Sequence, residues 1–361
     1  MSQKFSILNF LGRPFSPLYS AIMKSREILY SKGYKKSYKL EVPVISVGNL
    51  TMGGTGKTPV VALIAKMLLQ NGFKPAIISR GYGGAAGNRV NVVSDGKKML
   101  MDAKAAGDEP CFLGHSLPGI QVLTGIVRIL PCRHAIEETG CNIIVLDDGF
   151  QHMAVQRDLD LVLFSAASLA GNSRVFPGGD LREPVSALNR CSAFLITGIT
   201  DKLKEQADLF KKLLLKKFPN KPVFFSSYQP VSVQSLQDGA SYPLSSLPHP
   251  LLAFCGIGQP QLFKNSLFRE DIRLSGFMPL KDHQPFTPSL LRKINKSAES
   301  SDAEGLITTE KDLVKIKKED FSLPCFALQM EVVPDNEFCT WLNEWIADRI
   351  THKSKNVKFE V

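Results

Sequence analysis

Short apolar runs alternate with amphipathic segments along the chain from about residue 42. Residues 42–47, 75–79 and 143–146 are apolar runs bounded by turn residues, which is typical of buried parallel strands, and residues 120–123 form a further short run. Residues 57–70 carry apolar side chains at helical spacing. The alternation predicts an α/β fold with a doubly wound sheet.

More apolar runs follow than one compact sheet would hold, and we therefore predict a second, smaller α/β domain. These runs lie at residues 159–164, 194–197, 223–225, 251–254, 306–308 and 326–330. Residues 230–250, rich in serine, proline and glutamine, predict a surface excursion within that domain. Residues 338–350, with two tryptophans, predict a closing amphipathic helix.

The N-terminal segment, residues 5–31, carries large apolar side chains at roughly helical spacing, interleaved with basic residues. Pro14 and Pro17 predict two short helical pieces, because proline suits the first turn of a helix and not its interior. Residues 1–40 contain eight lysines and arginines against one acid, Glu27, so most of the net charge of +10 is local. Two interpretations stay open: a helix in a membrane interface, or a helix packed on the protein's own core.

Composition argues against several classes of protein. No apolar run reaches the ~18 residues that cross a bilayer, and no signal-peptide pattern is present, so we expect neither a membrane span nor export. The seven cysteines form no CxxC pair, which favours reduced thiols over a zinc ribbon or a disulfide framework. Local basicity mixed with large apolar residues argues against nucleic acid as a partner.

A glycine-rich loop, residues 48–58, follows the first predicted strand and precedes a predicted helix. Glycines allow backbone N–H groups to approach a phosphate chain, Lys57 supplies charge for the β- and γ-phosphates, and the Thr58 hydroxyl is suited to Mg²⁺. Thr51 replaces the first glycine of the usual pattern, which implies a variant P-loop. The pattern predicts a P-loop NTPase-like fold with ATP and Mg²⁺ as cofactors. The predicted nucleotide-binding residues of the loop are Thr51, Met52, Gly53, Gly54, Thr55, Gly56, Lys57 and Thr58.

Two acids, Asp147 and Asp148, end the apolar run at residues 143–146. A strand that ends in aspartate is typical of the element that holds Mg²⁺ beside a P-loop, directly or through water. Asp147 is the better candidate for the metal because it ends the run, and Asp148 would lie beside it. Capping of a following helix is the weaker interpretation of the pair.

Three further polar clusters are candidates for chemistry. Asp108 and its neighbour Glu109 lie in a turn that a proline rigidifies, and Asp282-His283 lies in a later loop. A glycine- and proline-rich loop at residues 177–184 contains Arg182, a candidate phosphate clamp, and Glu183, a candidate metal or ribose contact. Taken alone, an exposed histidine or Asp–Glu pair is more often solvated than catalytic, and residues 177–184 also fit a glycine- and proline-rich surface loop.

Together these motifs resemble the tetraacyldisaccharide 4'-kinase family, the lipid A 4'-kinases of Gram-negative bacteria. The motifs follow the family's order over about residues 40–315, and the departures, at Phe150 and Gln284, do not touch the proposed chemistry. They are GNLTMGGTGKTP, SRGYGG at residues 79–84, AGDEP at 106–110, LDDGFQH at 146–152, PGGDLREP at 177–184, DHQPF at 282–286 and TTEKD at 308–312.

The resemblance implies ATP-dependent phosphorylation of the 4'-hydroxyl of a tetraacyldisaccharide 1-phosphate, an acylated glucosamine disaccharide, to give lipid IVA. It implies a peripheral position on the cytoplasmic face of the inner membrane, held by the N-terminal helix. By the same resemblance, Asp108 is the base and His283 its partner. Arg128 and Arg182 would contact phosphates, and Asp147 and Glu183 would contact the metal. Lys57 and Asp148 complete the predicted catalytic set. Because Asp108 and His283 fall in different predicted domains, interdomain closure becomes a condition for turnover.

Three alternatives stay open. A P-loop switch that binds a protein partner is one, although no NKxD-like guanine-reading sequence is present. A membrane scaffold with a vestigial loop is another, against which the intact Lys57, Thr58 and Asp147 argue. The third is a kinase for a soluble small molecule, which would have no use for the N-terminal segment.

The predicted division of the chain has four parts. They are a membrane-associating segment at residues 1–38, a P-loop domain at 39–160, a second α/β domain at 161–335, and a closing helix with a basic tail at 336–361.

Overall fold

A continuous twisted sheet runs through the protein, whose computed structural model describes residues 10–282 and 284–356. The strands in that part of the chain are β1 (Val44–Asn49), β2 (Pro75–Ser79), β3 (Asn91–Ser94), β4 (Gln121–Thr124), β5 (Ile143–Asp147), β6 (Leu159–Ser165), β7 (Ala193–Thr197), β8 (Val223–Ser235), β9 (Ser241–Tyr242), β10 (Leu251–Cys255), β11 (Leu274–Pro279), β12 (Gly305–Thr309) and β13 (Cys325–Pro334). The α-helices are α1 (Ser16–Ser31), α2 (Lys57–Gln70), α3 (Ala103–Ala106), α4 (Asp108–Ser116), α5 (Ile129–Thr139), α6 (Asp201–Lys217), α7 (Pro260–Arg269), α8 (Pro288–Ser300), α9 (Glu310–Leu313) and α10 (Asn336–Asn356). Short 3-10 helices lie at Arg13–Phe15, Val185–Arg190, Leu244–Ser246 and Lys318–Asp320.

The order of the strands places the loops of the candidate site at one edge. The order is β11-β10-β12-β13-β8-β7-β6-β1-β5-β2-β4-β3, with β9 beside β8. The pairs β3–β4, β8–β9 and β8–β13 are antiparallel, and all the other pairs are parallel. Val47 of β1 pairs with Asp147 of β5. The P-loop and the two acids therefore follow neighbouring strand ends, where ligands bind in open α/β sheets.

Both faces of the sheet are covered in its P-loop part, where every residue of β1, β2, β5, β6 and β7 is buried. Ile45 and Val47 of β1 pack in a core cluster with residues of α2 and α10. Val44, which points the other way, packs in a second cluster with residues of α5. This arrangement confirms the predicted doubly wound sheet, and the bounds of α2 and β2 agree with the predicted ones.

The strands after residue 160 differ in part from the predicted division. β6 pairs with β1, β7 with β6, and the start of β8 with β7, so these strands extend the P-loop sheet. β8 then continues through Pro230 and pairs with β13, where the register shifts between Gln329 and Met330. The surface excursion predicted at residues 230–250 therefore does not begin at Pro230, since β8 continues to Ser235 although proline donates no ladder hydrogen bond. The pairing favours a boundary within β8, although the division into domains stays a prediction. We refer to residues 39–226 as the P-loop half and to residues 227–334 as the second half.

The N-terminal helix continues through both prolines. Residues 10–12 are helical, a 3-10 turn follows at Arg13–Phe15, and α1 begins at once with Pro17 in its first turn. The inner side of the helix docks on the loop before β7: the Ser16 hydroxyl donates to the carbonyl of Val175 at 2.8 Å. The close approach of the two segments needs a glycine, because a Cβ on Gly12 would lie 2.5 Å from the Pro177 carbonyl oxygen.

The outer side of this helix leaves large apolar side chains uncovered. These side chains are 56–67% exposed and belong to Phe10, Leu11, Phe15, Leu18 and Ile22. No helix within residues 10–282 and 284–356 combines the length and the apolar character needed to cross a bilayer.

Candidate active site

The P-loop links β1 to α2 and lies at the centre of the candidate site. Gly53 and Gly56 have φ angles of 108° and 74°, which favour glycine. At Gly56 the space also excludes a side chain, since a Cβ there would lie 1.6 Å from the Tyr228 hydroxyl. α2 begins at Lys57, so the loop presents backbone N–H groups at a helix N-terminus, and Thr58 follows with a half-buried side chain. The other predicted loop residues are Thr51 and Thr55, which are buried, and Met52, Gly53 and Gly54, which are exposed.

A second loop, residues 177–184, lies alongside the P-loop and braces it. The backbone N–H of Met52 donates to the carbonyl of Asp180 at 2.7 Å. The backbone N–H of Arg182 donates to the carbonyl of Leu50 at 2.8 Å. Two loops that are more than a hundred residues apart in sequence therefore form one wall of the site.

Asp148 is held by cations on three sides. Both of its carboxylate oxygens accept from the Arg182 guanidinium at 2.9 Å, and Lys57 Nζ lies 3.6 Å from Oδ1. Arg128 donates to the backbone carbonyl of Asp148 at 2.9 Å. Although burial opposes the shift, Lys57 and Arg182 hold the pKa of Asp148 below its ordinary value. Asp148 therefore stays ionised and fixes both cations beside the P-loop.

Asp147 has the opposite electrostatics. Its side chain is buried, and Oδ2 accepts from the Ser79 hydroxyl at 3.1 Å, whereas Oδ1 has no hydrogen-bond partner among the residues that the structure describes. Burial, together with the carboxylates of Glu109 and Asp148, raises the pKa of Asp147 to about 7. A buried carboxylate with an unpaired oxygen and two acidic neighbours suits a divalent cation, which would offset the crowded negative charge.

Within the described ranges no three His, Cys, Asp or Glu side chains converge as a closed metal site. Such a cluster is not required for Mg²⁺ bound with a nucleotide, since this ion usually takes one or two protein ligands, waters and phosphate oxygens. The arrangement of Asp147 and the P-loop therefore fits Mg²⁺ held together with a nucleotide.

Asp108 and Glu109 begin α4, directly after Gly107, whose φ of 93° turns the chain sharply out of α3. Glu109 lies near enough to Asp147 for its charge to raise that residue's pKa, which places the two acidic pairs in one site. The cations that face the second pair come from the second half of the chain. Lys315 Nζ lies 3.4 Å from Asp108 Oδ2, and Lys311 Nζ lies 3.2 Å from Glu109 Oε1.

Lys315 joins three of the sequence motifs. Besides Asp108 it contacts Asp312, at 2.7 Å, and it lies over the Phe286 ring at 5.2 Å. Asp312 is fully buried and accepts from the backbone N–H of Gly256 at 2.7 Å. Its carboxylate is therefore held in place and in turn fixes the position of Lys315. Its side chain is only 9% exposed, which makes the ion pair with Asp108 a largely desolvated contact.

A further contact between the halves lies at the P-loop, where Gln259 donates to the carbonyl of Gly54 at 3.3 Å. Within the second half, Lys311 Nζ lies 4.0 Å from a carboxylate oxygen of Asp282. His283, the predicted partner of Asp108, lies outside the described residues. Its neighbour Asp282 lies beside Lys311, the lysine that pairs with Glu109 of the candidate site.

Two predicted site residues lie beneath the site rather than at its mouth. Arg128 is 3% exposed and its guanidinium supports the turn after β5; burial lowers its pKa. Glu183 is 2% exposed and pairs with Arg190 at 2.5 Å. The structure thus gives Glu183 an ion-pair partner away from the P-loop, and its role as a metal ligand stays a prediction.

Sequence reasoning did not single out several residues that the structure brings to the site. Lys311 belongs to the TTEKD motif, but its pairing with Glu109 depends on tertiary contacts that no local pattern reveals. Asn49, whose side-chain oxygen accepts from Lys57 at 3.4 Å, lies inside the quoted P-loop motif and was the easiest to find. Lys315 and Arg190 lie outside every motif.

Comparisons with known proteins cover nearly the whole chain. A sequence model of a family described as tetraacyldisaccharide-1-P 4'-kinase matches residues 8–347. The tetraacyldisaccharide 4'-kinase of Desulfotalea psychrophila is 46% identical over 338 residues, which cover 93% of this chain and 96% of that protein. The protein of the same name from Syntrophus aciditrophicus is 38% identical over 338 residues, covering 90% of this chain and 89% of that protein.

A solved structure is similar over both halves of the sheet. The crystal structure of LpxK from Aquifex aeolicus in complex with ATP is 31% identical in sequence, with a TM-score of 0.73. The match covers 92% of this chain and 97% of that one.

Proposed function

The chain belongs to the tetraacyldisaccharide-1-P 4'-kinase family, and from this premise we propose which residues carry out its reaction. It is an ATP-dependent kinase of lipid A biosynthesis that phosphorylates the 4'-hydroxyl of a tetraacyldisaccharide 1-phosphate, with Mg²⁺ as the accompanying metal. The observation that carries the residue assignments is the meeting of a P-loop and two acidic pairs at one edge of the sheet.

The P-loop half binds the phosphate chain. Loop N–H groups and Lys57 would hold the β- and γ-phosphates, with Arg182 fixed beside them by Asp148. Thr58 and Asp147 would hold Mg²⁺, which when bound neutralises charge that develops on the transferred phosphoryl group. The pairing of Asp148 with Lys57 and Arg182 orients both cations before the nucleotide arrives, so little reorganisation is needed during transfer.

The second acidic pair faces the acceptor. Asp108 would remove the proton of the 4'-hydroxyl as that oxygen attacks the γ-phosphorus, and His283 of the second half would orient it and share the proton. Lys315 holds the Asp108 carboxylate in place at 3.4 Å. This division of labour requires both halves of the chain to be in contact during turnover.

The test is ATP turnover with and without an acylated diglucosamine 1-phosphate. We expect ADP release that depends on the acceptor, and a new phosphate on its 4'-oxygen by phosphorus NMR. Hydrolysis at the same rate without acceptor would favour a P-loop switch instead. Equal activity on a soluble sugar without acyl chains would favour a small-molecule kinase.

We further propose that the protein binds the cytoplasmic face of the inner membrane peripherally, through the outer side of the N-terminal helix. The exposed apolar residues there, together with the basic residues of the segment, suit an interface with anionic lipids. Replacing Leu11, Phe15 and Leu18 by serine should release the protein from anionic vesicles, and binding by the wild type should weaken with salt.

Point substitutions are preferable to deletion of the segment in this test, because α1 also contacts the loop before β7. A triple variant at exposed apolar positions elsewhere, Leu209, Leu213 and Leu262, provides the control. Undiminished vesicle binding by the N-terminal variant would contradict the proposal.

A further inference from the structure

The inner side of the N-terminal helix makes polar contacts with the loops that border Lys57. Two neighbouring residues of α1 make them. Arg26 donates to the backbone carbonyl of Gln151 at 3.0 Å, and Glu27 accepts from Arg190 at 2.9 Å. Neither contact involves the exposed apolar side chains of the helix, which are the ones that membrane binding would use.

The contact through Arg26 leads to the P-loop lysine in three steps. Gln151, in the turn after β5, donates from its side chain to the backbone carbonyl of Asn49 at 3.0 Å. The side-chain oxygen of Asn49 accepts from Lys57 Nζ at 3.4 Å. A shift of α1 would therefore be transmitted to Asn49 and, through it, to Lys57.

The contact through Glu27 reaches the same lysine by another route. The Arg190 guanidinium bridges Glu27 and Glu183, at 2.9 and 2.5 Å, and lies over the Phe150 ring at 4.7 Å. Glu183 is adjacent to Arg182, which grips Asp148, the residue that faces Lys57.

Arg190 is suited to this bridging role by its burial and its shape. Its side chain is 17% exposed and that of Glu183 is 3% exposed, so the pair is largely withdrawn from water. A planar guanidinium with several donors can hold two carboxylates in fixed directions while one face stacks on an aromatic ring, which a lysine cannot do. Glu27 is 27% exposed and completes the charge balance from the helix.

We propose that Glu27 and Arg190 are positioning residues that couple seating of the N-terminal helix to the geometry of Lys57, Arg182 and Asp148, so that membrane docking and phosphoryl transfer are linked. This inference rests on the proposed function of the site. The helix then serves both as an attachment to the membrane and as one wall of the catalytic apparatus. Loss of the contact between Glu27 and Arg190 should slow the chemical step even when the acceptor is not in a membrane.

The decisive variants are Glu27→Gln and Arg190→Lys. Glu27→Gln removes a charge from a partly exposed side chain and leaves the buried Arg190–Glu183 pair intact, so folding should survive. Arg190→Lys keeps a positive charge beside Glu27 and Glu183 but removes the planar guanidinium that bridges the two carboxylates. Truncation of Arg190 is avoided, because it would leave Glu183 buried and unpaired. Glu205→Gln, at an exposed position on α6, is the matched control.

The readouts are kcat on a short-acyl, water-soluble diglucosamine 1-phosphate without vesicles, thermal melting, and sedimentation with anionic vesicles. We expect Glu27→Gln and Arg190→Lys each to lower kcat roughly three- to thirtyfold, as is typical of coupled positions outside direct contact. Vesicle binding and melting should stay close to wild type. The double variant should lose little more than Arg190→Lys alone, because both act through one contact.

Wild-type kcat in both variants, or a loss that only follows reduced melting temperature, would overturn the proposal. Acceptor-independent ATP hydrolysis is measured in the same set of variants. A wild type that fails to phosphorylate the disaccharide would contradict the proposed function alone, and hydrolysis in Glu27→Gln would still decide whether the helix is coupled to Lys57.

Discussion

Two acidic pairs lie at this edge of the sheet, and their ion-pair partners come from different halves of the chain. The first pair is Asp147–Asp148 and the second is Asp108–Glu109. Asp148 contacts Lys57 and Arg182, which belong to the same half, whereas Asp108 contacts Lys315 of the second half. The ion-pair partners of the first pair therefore all lie within the P-loop half. The environment of the second pair exists only when the halves are in contact.

This difference separates two tasks within one site. Binding of the phosphate chain and the metal depends on residues next to each other on neighbouring strand ends, a preorganised arrangement. Activation of the acceptor depends on residues that meet across the two halves, a contact that can respond to the acceptor itself. Substitutions in the two pairs should therefore fail in different ways.

The largest effect is expected at the second pair. Asp108→Ala should lower kcat about 10²–10⁴-fold, the usual contribution of a general base. If His283 acts with it as one unit, His283→Ala should cost nearly as much, and the double variant little more than either. A double-mutant cycle on kcat measures this. Additive losses would assign the two residues to separate roles, and a negligible loss at Asp108 would move the base to Asp148 or Glu109.

The next largest effect is expected at Lys57, the lysine that faces Asp148 of the first pair. Lys57→Ala should lower kcat about 10²–10³-fold by removing a charge that stabilises the transferred phosphoryl group. Because the side chain of its partner Asp148 is 35% exposed and keeps the ion pair with Arg182, the melting temperature should change little. Steady-state kinetics with a thermal melt check both. A nearly normal kcat would show that the loop does not hold the transferred phosphate.

A smaller effect should appear where the second half supports Asp108. Lys315→Met should lower kcat about 10- to 10²-fold, the range for loss of a charged contact, without raising KM for Mg-ATP. Lys315→Arg should restore part of the loss, which a purely structural role would not explain, and exposed Lys318→Met serves as control. A rise in KM for Mg-ATP with unchanged kcat would place Lys315 on the nucleotide side of the site.

The smallest effect concerns stability rather than rate. Burial raises the pKa of Glu310, in the TTEKD motif, to about 7. Between its ordinary value of 4.5 and about pH 7 the native state holds a proton that the unfolded state has lost, so stability falls as pH rises through this window. Glu310→Gln should remove about 1–2 kcal/mol of that fall.

Urea denaturation at several pH values measures this change. The exposed Glu304→Gln variant, in the same half, should keep the wild-type dependence. An unchanged slope in Glu310→Gln would show that Glu310 ionises normally in the folded protein.

The sequence predicted the P-loop half better than the rest of the site. Strand ends, glycines and the Asp147–Asp148 pair are local signals, and α2 and β2 agree with their predicted bounds. The placement of β6 beside β1, and of β7 beside β6, was not foreseen, because apolar runs identify strands but not their neighbours. Lys315 escaped notice for a related reason, since its three partners lie in motifs scattered along the chain.

Glu183 has a partner that its motif does not reveal. The structure pairs it with Arg190 from the following 3-10 helix, while the metal contact that the resemblance implies stays a prediction. Only the fold reveals which of two adjacent charged residues faces the P-loop and which faces the N-terminal helix. The same contact shows that the inner side of that helix packs on the protein, whereas a membrane position for its exposed outer side stays a prediction.

The separation of tasks between the two acidic pairs is tested most directly by Mg-ATP binding to Asp108→Asn and Asp147→Asn, measured by isothermal titration calorimetry without acceptor. We expect Asp108→Asn to bind Mg-ATP with the wild-type Kd although it no longer transfers the phosphoryl group. Asp147→Asn should weaken binding about tenfold or more, because a charged ligand is lost. Equal loss of Mg-ATP affinity in the two variants would contradict the division of the site into a nucleotide side and an acceptor side.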